Sequence, residues 1–298
     1  MTTTALILVL MSAVAHAWWN LAIKQRDPSV PLFLLANVAG AVVCLPGLIA
    51  HAECLAQFPP RFWLLTLLTG LSQAIYCIGL ARAYESGEYS RAYPIIRAVP
   101  VVLVAFVAMS LGAQVGGQAL AGMALIVAGC LLIPADRPSD LHPGHYRQRW
   151  LIWSLFAAAG TVGYSILDDR CLRLMRAATD LTETESALAF VVLEILACVL
   201  WLVPIAGLRC SDRRQLKTLL RTHKLQCLWM GAAIYLTYLL VLIAMGFADN
   251  VSYIVALRQV SIPLGAALGI TVLSEPAPRT KLIGIAVTFI GLVIVSLN

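Results

Sequence analysis

Two arginines stand where burying a charge is costly. Arg97 lies in the apolar stretch Tyr93 to Phe106, YPIIRAVPVVLVAF, with Pro94 three residues before it and Pro100 three after. Arg258 lies in LRQVSIPLGAALGITVLSE, residues 257 to 275, with Pro263 five positions on. A charge near the centre of hydrocarbon costs at least about 2.5 kcal/mol, so such a residue usually faces a bundle interior, a water-filled cavity or a partner. A guanidinium offers a planar fork of donors that fits the oxygens of a carboxylate, phosphate or phosphonate. The pair is expected to bind the negative part of a small anion. Snorkelling to the nearer surface, or ion pairing that holds helices together, would account for each arginine alone. Proline frees carbonyls and can kink a helix, which would open a polar cavity at the depth of the arginines.

Other polar residues recur at helical spacing. Ser12, His16, Asn20 and Lys24 follow at steps of four, and Thr161, Ser165 and Asp169 repeat the pattern further on, with Tyr164 and Asp168 adjoining. Both stripes are expected to line a cavity, with Trp19 and Tyr164 as stacking surface for an organic substrate; hydrogen bonding between helices is the alternative. Glu194 is the deepest carboxyl, with Asn37 in the matching place. A carboxyl in low dielectric can exchange a proton near neutral pH, so Glu194 is the first candidate for proton coupling, against a fixed ion pair with Arg97 or Arg258. His16, Lys24 and Asp169 are further candidates for coupling or gating. Gln73, Tyr76, Tyr93, Tyr235 and Tyr238 could complete the lining.

The elements that carry these residues follow from composition. The chain has 298 residues, of which 60% are hydrophobic and 12% charged, too little polar surface for a soluble globule. A membrane helix needs about 20 mainly apolar residues. Apolar stretches of that length run at about 4–23, 30–50, 61–82, 90–110, 115–134, 150–168, 184–206, 224–246, 250–273 and 279–297. In hydrocarbon they must be helices, because backbone groups cannot stay unpaired. The expected fold is an all-α membrane protein of ten transmembrane helices. The first stretch reads as a retained helix, since no basic residue precedes it despite an A-x-A site at Ala15 and Ala17. Residues 135–149 form a polar connection between five-helix groups at 1–134 and 150–298; residues 207–224 form a second long polar loop.

The two groups resemble each other. One constant offset lays Arg97 on Arg258, Glu88 on Asp249 and Gln114 on Glu275, and an offset longer by one residue lays Tyr76 on Tyr238, Gly122 on Gly284 and Gly129 on Gly291. Other offsets match Trp19 with Tyr164, Asn20 with Ser165, Lys24 with Asp169 and Asn37 with Glu194. An odd number of helices per copy makes the copies inverted, a transporter signature with the binding site near midplane. The glycines are expected to let helices approach closely, within one chain or in a homodimer, and Gly265 and Gly269 add a G-x-x-x-G pattern. Trp153, Trp201 and Trp229 read as interfacial anchors.

HAWWNLAIK (16–24), SGEYSRAYPIIRAVPVVLVA (86–105) and the stretch from Leu257 to Glu275 resemble the EamA-type, ten-helix members of the drug/metabolite transporter superfamily. The resemblance covers nearly the whole chain. It implies secondary transport of small metabolites by alternating access, usually export. Gln114 departs from the glutamate more common there, so a role of that carboxylate would survive only at Glu275.

The expected function is that of a permease in a bacterial-type inner membrane, moving a small polar organic metabolite, an anion such as a carboxylate, amino acid or phosphate or phosphonate compound being the first candidate, with proton coupling. Its partners are that substrate and membrane lipid. A lipid-intermediate flippase would share the fold, and an intramembrane enzyme is the competing class, but "DDRCLR" lacks a third carboxylate and neither H-E-x-x-H nor G-x-S-x-G occurs. No enzymatic role and no cofactor is expected. The eight cysteines have no C-x-x-C pair, against a metal site or disulfide framework. The net charge of +6 reads as membrane orientation and not as nucleic-acid binding. Counting Lys and Arg in the connections puts both termini outside, whereas the family resemblance implies inside.

Overall fold

The structure is a computed structural model of the chain. It describes residues 2–23, 29–85, 89–133, 135, 149–272, 274 and 276–297, with the side chains at 19–23, 89–94 and 149 left out. The helices are α1 (Thr3–Ile23), α2 (Val30–Ala50), α3 (Pro60–Glu85), α4 (Tyr89–Ser110), α5 (Gly117–Leu132) and α6 (Arg149–Ala178). They continue with α7 (Glu183–Leu208), α8 (Cys210–Thr222), α9 (Lys224–Gly246), α10 (Val251–Leu257), α11 (Ser261–Val272) and α12 (Arg279–Ser296). Among the described residues every element is helical, and seven helices are long and apolar enough to cross a membrane, counting α10 and α11 as one span. Shorter apolar helices run at Thr3–Trp18, Ile95–Ser110 and Gly117–Leu132. The chain has the helix lengths and composition of a multi-pass integral membrane protein.

Local chemistry sets several boundaries. Ser29 Oγ accepts the Leu32 N–H at 3.4 Å to open α2. Thr182 and Glu185 cap α7 reciprocally, each side chain taking a backbone N–H of the other. Asn250 Oδ1 accepts the Ser252 N–H at 3.0 Å to start α10. Large apolar side chains stay exposed along the outer faces, among them Val42, Trp18, Phe106, Ile152, Leu200 and Phe289. In a membrane those faces meet lipid, so their exposure carries no penalty.

Three features depart from the sequence expectation. The segment expected to end near 168 continues as α6 to Ala178, so Asp168 and Asp169, expected at its end, lie inside a helix and are buried. The expected loop at 207–224 contains α8, whose Asp212, Leu216 and Leu219 share one face. That face docks through an ion pair of Asp212 with Arg82 on α3 (3.4 Å) and through the two leucines, which join separate apolar clusters. α4 runs as an unbroken α-helix through Pro94 and Pro100, while the span carrying Pro263 is interrupted by a 3-10 turn at Arg258–Val260. Pro263 has no N–H for the Gln259 carbonyl four residues back, and the backbone tightens ahead of it.

α3 packs on α6 and α7, α2 on α7 and α9, α1 on α9 and the α10–α11 span, α4 on α5, α6 and α10, and α5 on α12. At the last contact Gly122 and Gly129 face Gly284 and Gly291 within one chain. A Cβ added at Gly129 would stand 2.6 Å from the Thr288 nitrogen and 2.7 Å from the Gly284 carbonyl oxygen. Gly265 meets nothing within 4 Å, so the G-x-x-x-G pattern of α11 is not a contact between the described helices at that position. Gly129→Val is expected to destabilise the protein by about 1–3 kcal/mol, the range for overpacking a dense contact. Gly265→Ala, on open space in a helix, should leave stability equal or higher. Melting temperatures of the detergent-purified variants check both.

Candidate functional site

In the 3-10 turn the Arg258 carbonyl accepts the Ser261 N–H. Two side chains also donate to it: Ser261 Oγ at 3.0 Å and, from α4, Arg97 Nη2 at 3.3 Å. Arg97 Nη2 also lies 2.9 Å from Ser261 Oγ, which accepts its hydrogen bond. The two arginines that the sequence singled out therefore meet across the contact between α4 and the broken span. Arg97 is held by its outer nitrogen, while its buried Nε has no partner among the described residues.

Beside this contact is a small cavity lined by Tyr76, Ile96, Arg97, Thr161, Tyr164, Val255, Arg258 and Gln259. It leaves about 10 Å³ open to the centre of a water molecule, room for about one water. Tyr164 stands edge-on to Tyr76 (centroids 5.9 Å apart, 77°) and to Tyr238 (5.8 Å, 87°). The Arg258 guanidinium carbon lies 5.3 Å from the Tyr238 ring centroid, a cation–π contact. Three tyrosines from α3, α6 and α9 thus form one wall around Arg258.

A buried polar layer adjoins that wall. Asp168 accepts hydrogen bonds from the hydroxyls of Thr69 and Tyr238. Glu194 accepts one from Gln73 through Oε1, and its buried Oε2 has no partner among the described residues. Tyr235 donates to Asn37, the residue that the sequence matches with Glu194. The charges of Asp168 and Glu194 act on each other, and that of Arg258 acts on both. Among the described residues no ion pair joins Glu194 to either arginine. The described groups hold no cluster of three His, Cys, Asp or Glu side chains suited to a metal.

The sequence candidates fall into three groups. Arg97, Arg258, Tyr76 and Tyr164 line the cavity, and Tyr238 stands behind Arg258. Ser165 is fully buried, its hydroxyl unpartnered among the described residues, and His16 on α1 lies in the field of both arginines. Asp169 does not line the cavity: Arg173 holds it through Nε at 3.0 Å and also donates to the carbonyls of Ala248 and Asp249 at 3.2 and 3.1 Å. The side chains of Trp19, Asn20 and Tyr93, together with Lys24 and Glu275, lie outside the described residues. Gln114 is exposed, and its carbonyl accepts from Asn250.

Gln259, Ser261 and Thr69 were not among the sequence candidates, and Asp168 was named only as adjoining the stripe of Thr161, Ser165 and Asp169. Gln259 and Ser261 follow Arg258 within an apolar span, so a polar residue beside a buried charge was the available signal. Asp168 was masked by the misjudged end of its helix.

No family model and no curated protein matches the chain. A solved structure, "Crystal structure of protein", is similar over 100% of this chain and 99% of its own, at 18% identity and a TM-score of 0.69. That likeness establishes a shared fold over the full length. Chain and fold together define a multi-pass α-helical membrane protein whose described core encloses two arginines, two carboxyls and a tyrosine wall.

Tyr238→Phe keeps the ring over Arg258 and removes one of the two hydroxyl donors to Asp168. Leaving a buried acceptor short of a donor costs about 1–3 kcal/mol, and the melting temperature should fall accordingly. An unchanged melting temperature would mean that the hydroxyl does not support Asp168.

Proposed function

We propose that the chain is a secondary transporter of the EamA type in the drug/metabolite transporter superfamily. In this reading it has ten membrane helices in two inverted five-helix repeats, lies in the inner membrane and moves a small polar organic anion by alternating access. The observation that carries the reading is the convergence of Arg97 and Arg258, one from each half of the chain, on one aromatic-walled cavity at a helix break. Broken helices beside a binding site at the meeting of two repeats are the usual construction of secondary transporters.

The packing supports the repeat. Match α1 with α6, α2 with α7, α3 with α9, α4 with the α10–α11 span and α5 with α12. The contact of α3 on α6 then has its counterpart in α9 on α1, that of α3 on α7 in α9 on α2, and that of α4 on α6 in the broken span on α1. The contacts α2–α7 and α5–α12 are their own counterparts. A two-fold relation between halves produces this exchange.

The cavity holds about one water in this conformation, so a metabolite binds only after α4 and the broken span separate. The hydrogen bonds from Arg97 to the Arg258 carbonyl and Ser261 are then a closing contact between the halves. Glu194, buried with one oxygen unpartnered, is the proton-coupling candidate, and Asp168 shares its compartment.

A ligand that binds the folded state raises its melting temperature by mass action. Carboxylates, phosphates or phosphonates are expected to stabilise the detergent-purified protein and to fail on Arg97→Gln and Arg258→Gln. Stabilisation of all three proteins by cations or neutral compounds would make the arginines structural. In proteoliposomes, substrate should move protons inward with it or outward against it, and Glu194→Gln should abolish that proton flux. Full proton-dependent transport by Glu194→Gln would remove its coupling role.

A further inference from the structure

The two arginines and the tyrosine wall explain why an anion would be held, but one lining residue has chemistry that an anion cannot satisfy. Gln259 is 3% exposed, yet it lines the cavity. Its Nε2 donates to the Val255 carbonyl one turn back at 2.9 Å. That bond fixes the orientation of the amide, since the flipped form would set two oxygens against each other. Oε1 is therefore the free end, buried and without a donor among the described residues. Arg97 and Gln259 both line the cavity, and each carries a buried polar atom without a partner among the described residues, a donor at Arg97 Nε and an acceptor at Gln259 Oε1.

We infer that the cavity recognises a small organic anion that carries its own hydrogen-bond donor, a hydroxyl or an ammonium, and that Gln259 Oε1 is the acceptor that reads this donor. The inference rests on the anion reading of the same cavity and adds a specificity-determining residue to it. A ligand with anionic oxygens alone would press a lone pair against Oε1 or leave Oε1 dry, and an unsatisfied buried acceptor is costly. A hydroxyl or ammonium beside the anionic group relieves both. The Thr161 hydroxyl gives its proton to the Ala157 carbonyl at 3.2 Å and keeps an oxygen that can accept, but Gln259 Oε1 differs in being buried without a donor among the described residues. Gln259 also breaks the internal likeness of the halves: the offset that lays Arg97 on Arg258 puts Ala98 opposite Gln259. The arginines give the site a charge from each half, whereas the amide gives it a direction.

The test uses the full-length protein in nanodiscs and ligands matched in skeleton: propionate, lactate and alanine as carboxylates, methylphosphonate and aminomethylphosphonate as phosphonates. Affinities come from calorimetry on the wild type, Gln259→Leu and Gln259→Met, the two variants providing alternative apolar replacements in case one does not fold. In whichever series binds, the donor-bearing member should bind about tenfold tighter or more than its parent. The apolar variants should bring the two within about twofold, with the parent bound as tightly as by the wild type or tighter, a split that general destabilisation would not produce. Equal affinity of parent and donor-bearing ligand for the wild type would overturn the inference and leave the anion reading standing. Discrimination that survives both apolar variants would overturn the role of Gln259. If no anion binds while amines or neutral compounds do, the anion reading itself fails, and the inference falls with it.

Discussion

The interior of this protein depends on a constraint of hydrogen bonding in a dry medium. A backbone carbonyl released from its helix must be given another donor, because nothing outside the bundle supplies one. At the 3-10 turn Arg258–Val260 the Arg258 carbonyl keeps the Ser261 N–H as donor, and Arg97 reaches across from α4 to donate to it together with the Ser261 hydroxyl. That contact gives a half-buried cation two acceptors and joins the two halves of the chain. The side chain of Arg258 meets the Tyr238 ring.

From that contact the polar groups spread as a layer in which hydroxyls and amides mediate between charges. The carboxyl of Asp168 is not paired with an arginine directly. Tyr238 stands between them, its ring toward Arg258 and its hydroxyl on Asp168. Glu194 is likewise approached by an amide and not by a cation. Indirect contacts of this kind leave the charges less tightly bound to one another than a bidentate ion pair would. A closed ion pair at this place would compete with any anionic ligand.

The outer parts of the bundle work the other way. Gly122, Gly129, Gly284 and Gly291 bring α5 and α12 into backbone contact, and Asp212 ties α8 to Arg82. These contacts are close and have little room to shift. The interior, by contrast, has a cavity, unpartnered polar atoms on Arg97, Ser165, Glu194 and Gln259, and a helix already broken. The cavity lies where α4 meets the broken span.

Which segments are helical and buried in apolar surroundings was determined by the sequence alone, because hydrocarbon leaves the backbone no other choice and the apolar runs have spanning length. The importance of Arg97 and Arg258 was legible for the same reason: a charge in such a run is costly enough to need an explanation. Hydrophobicity is a one-dimensional signal, however, and it fails where polar residues are buried. Asp168, Asp169 and Arg173 resembled the end of a helix, and only the packing of α6 revealed them as interior or paired groups. Prolines were similarly ambiguous. Pro94 and Pro100 leave α4 intact, and the break falls ahead of Pro263, where a side chain from another helix donates to a carbonyl of the turn. The free oxygen of Gln259 belongs wholly to the tertiary structure, because it follows from where the other end of the amide is held and from what surrounds it. Spacing along the chain carries no record of either.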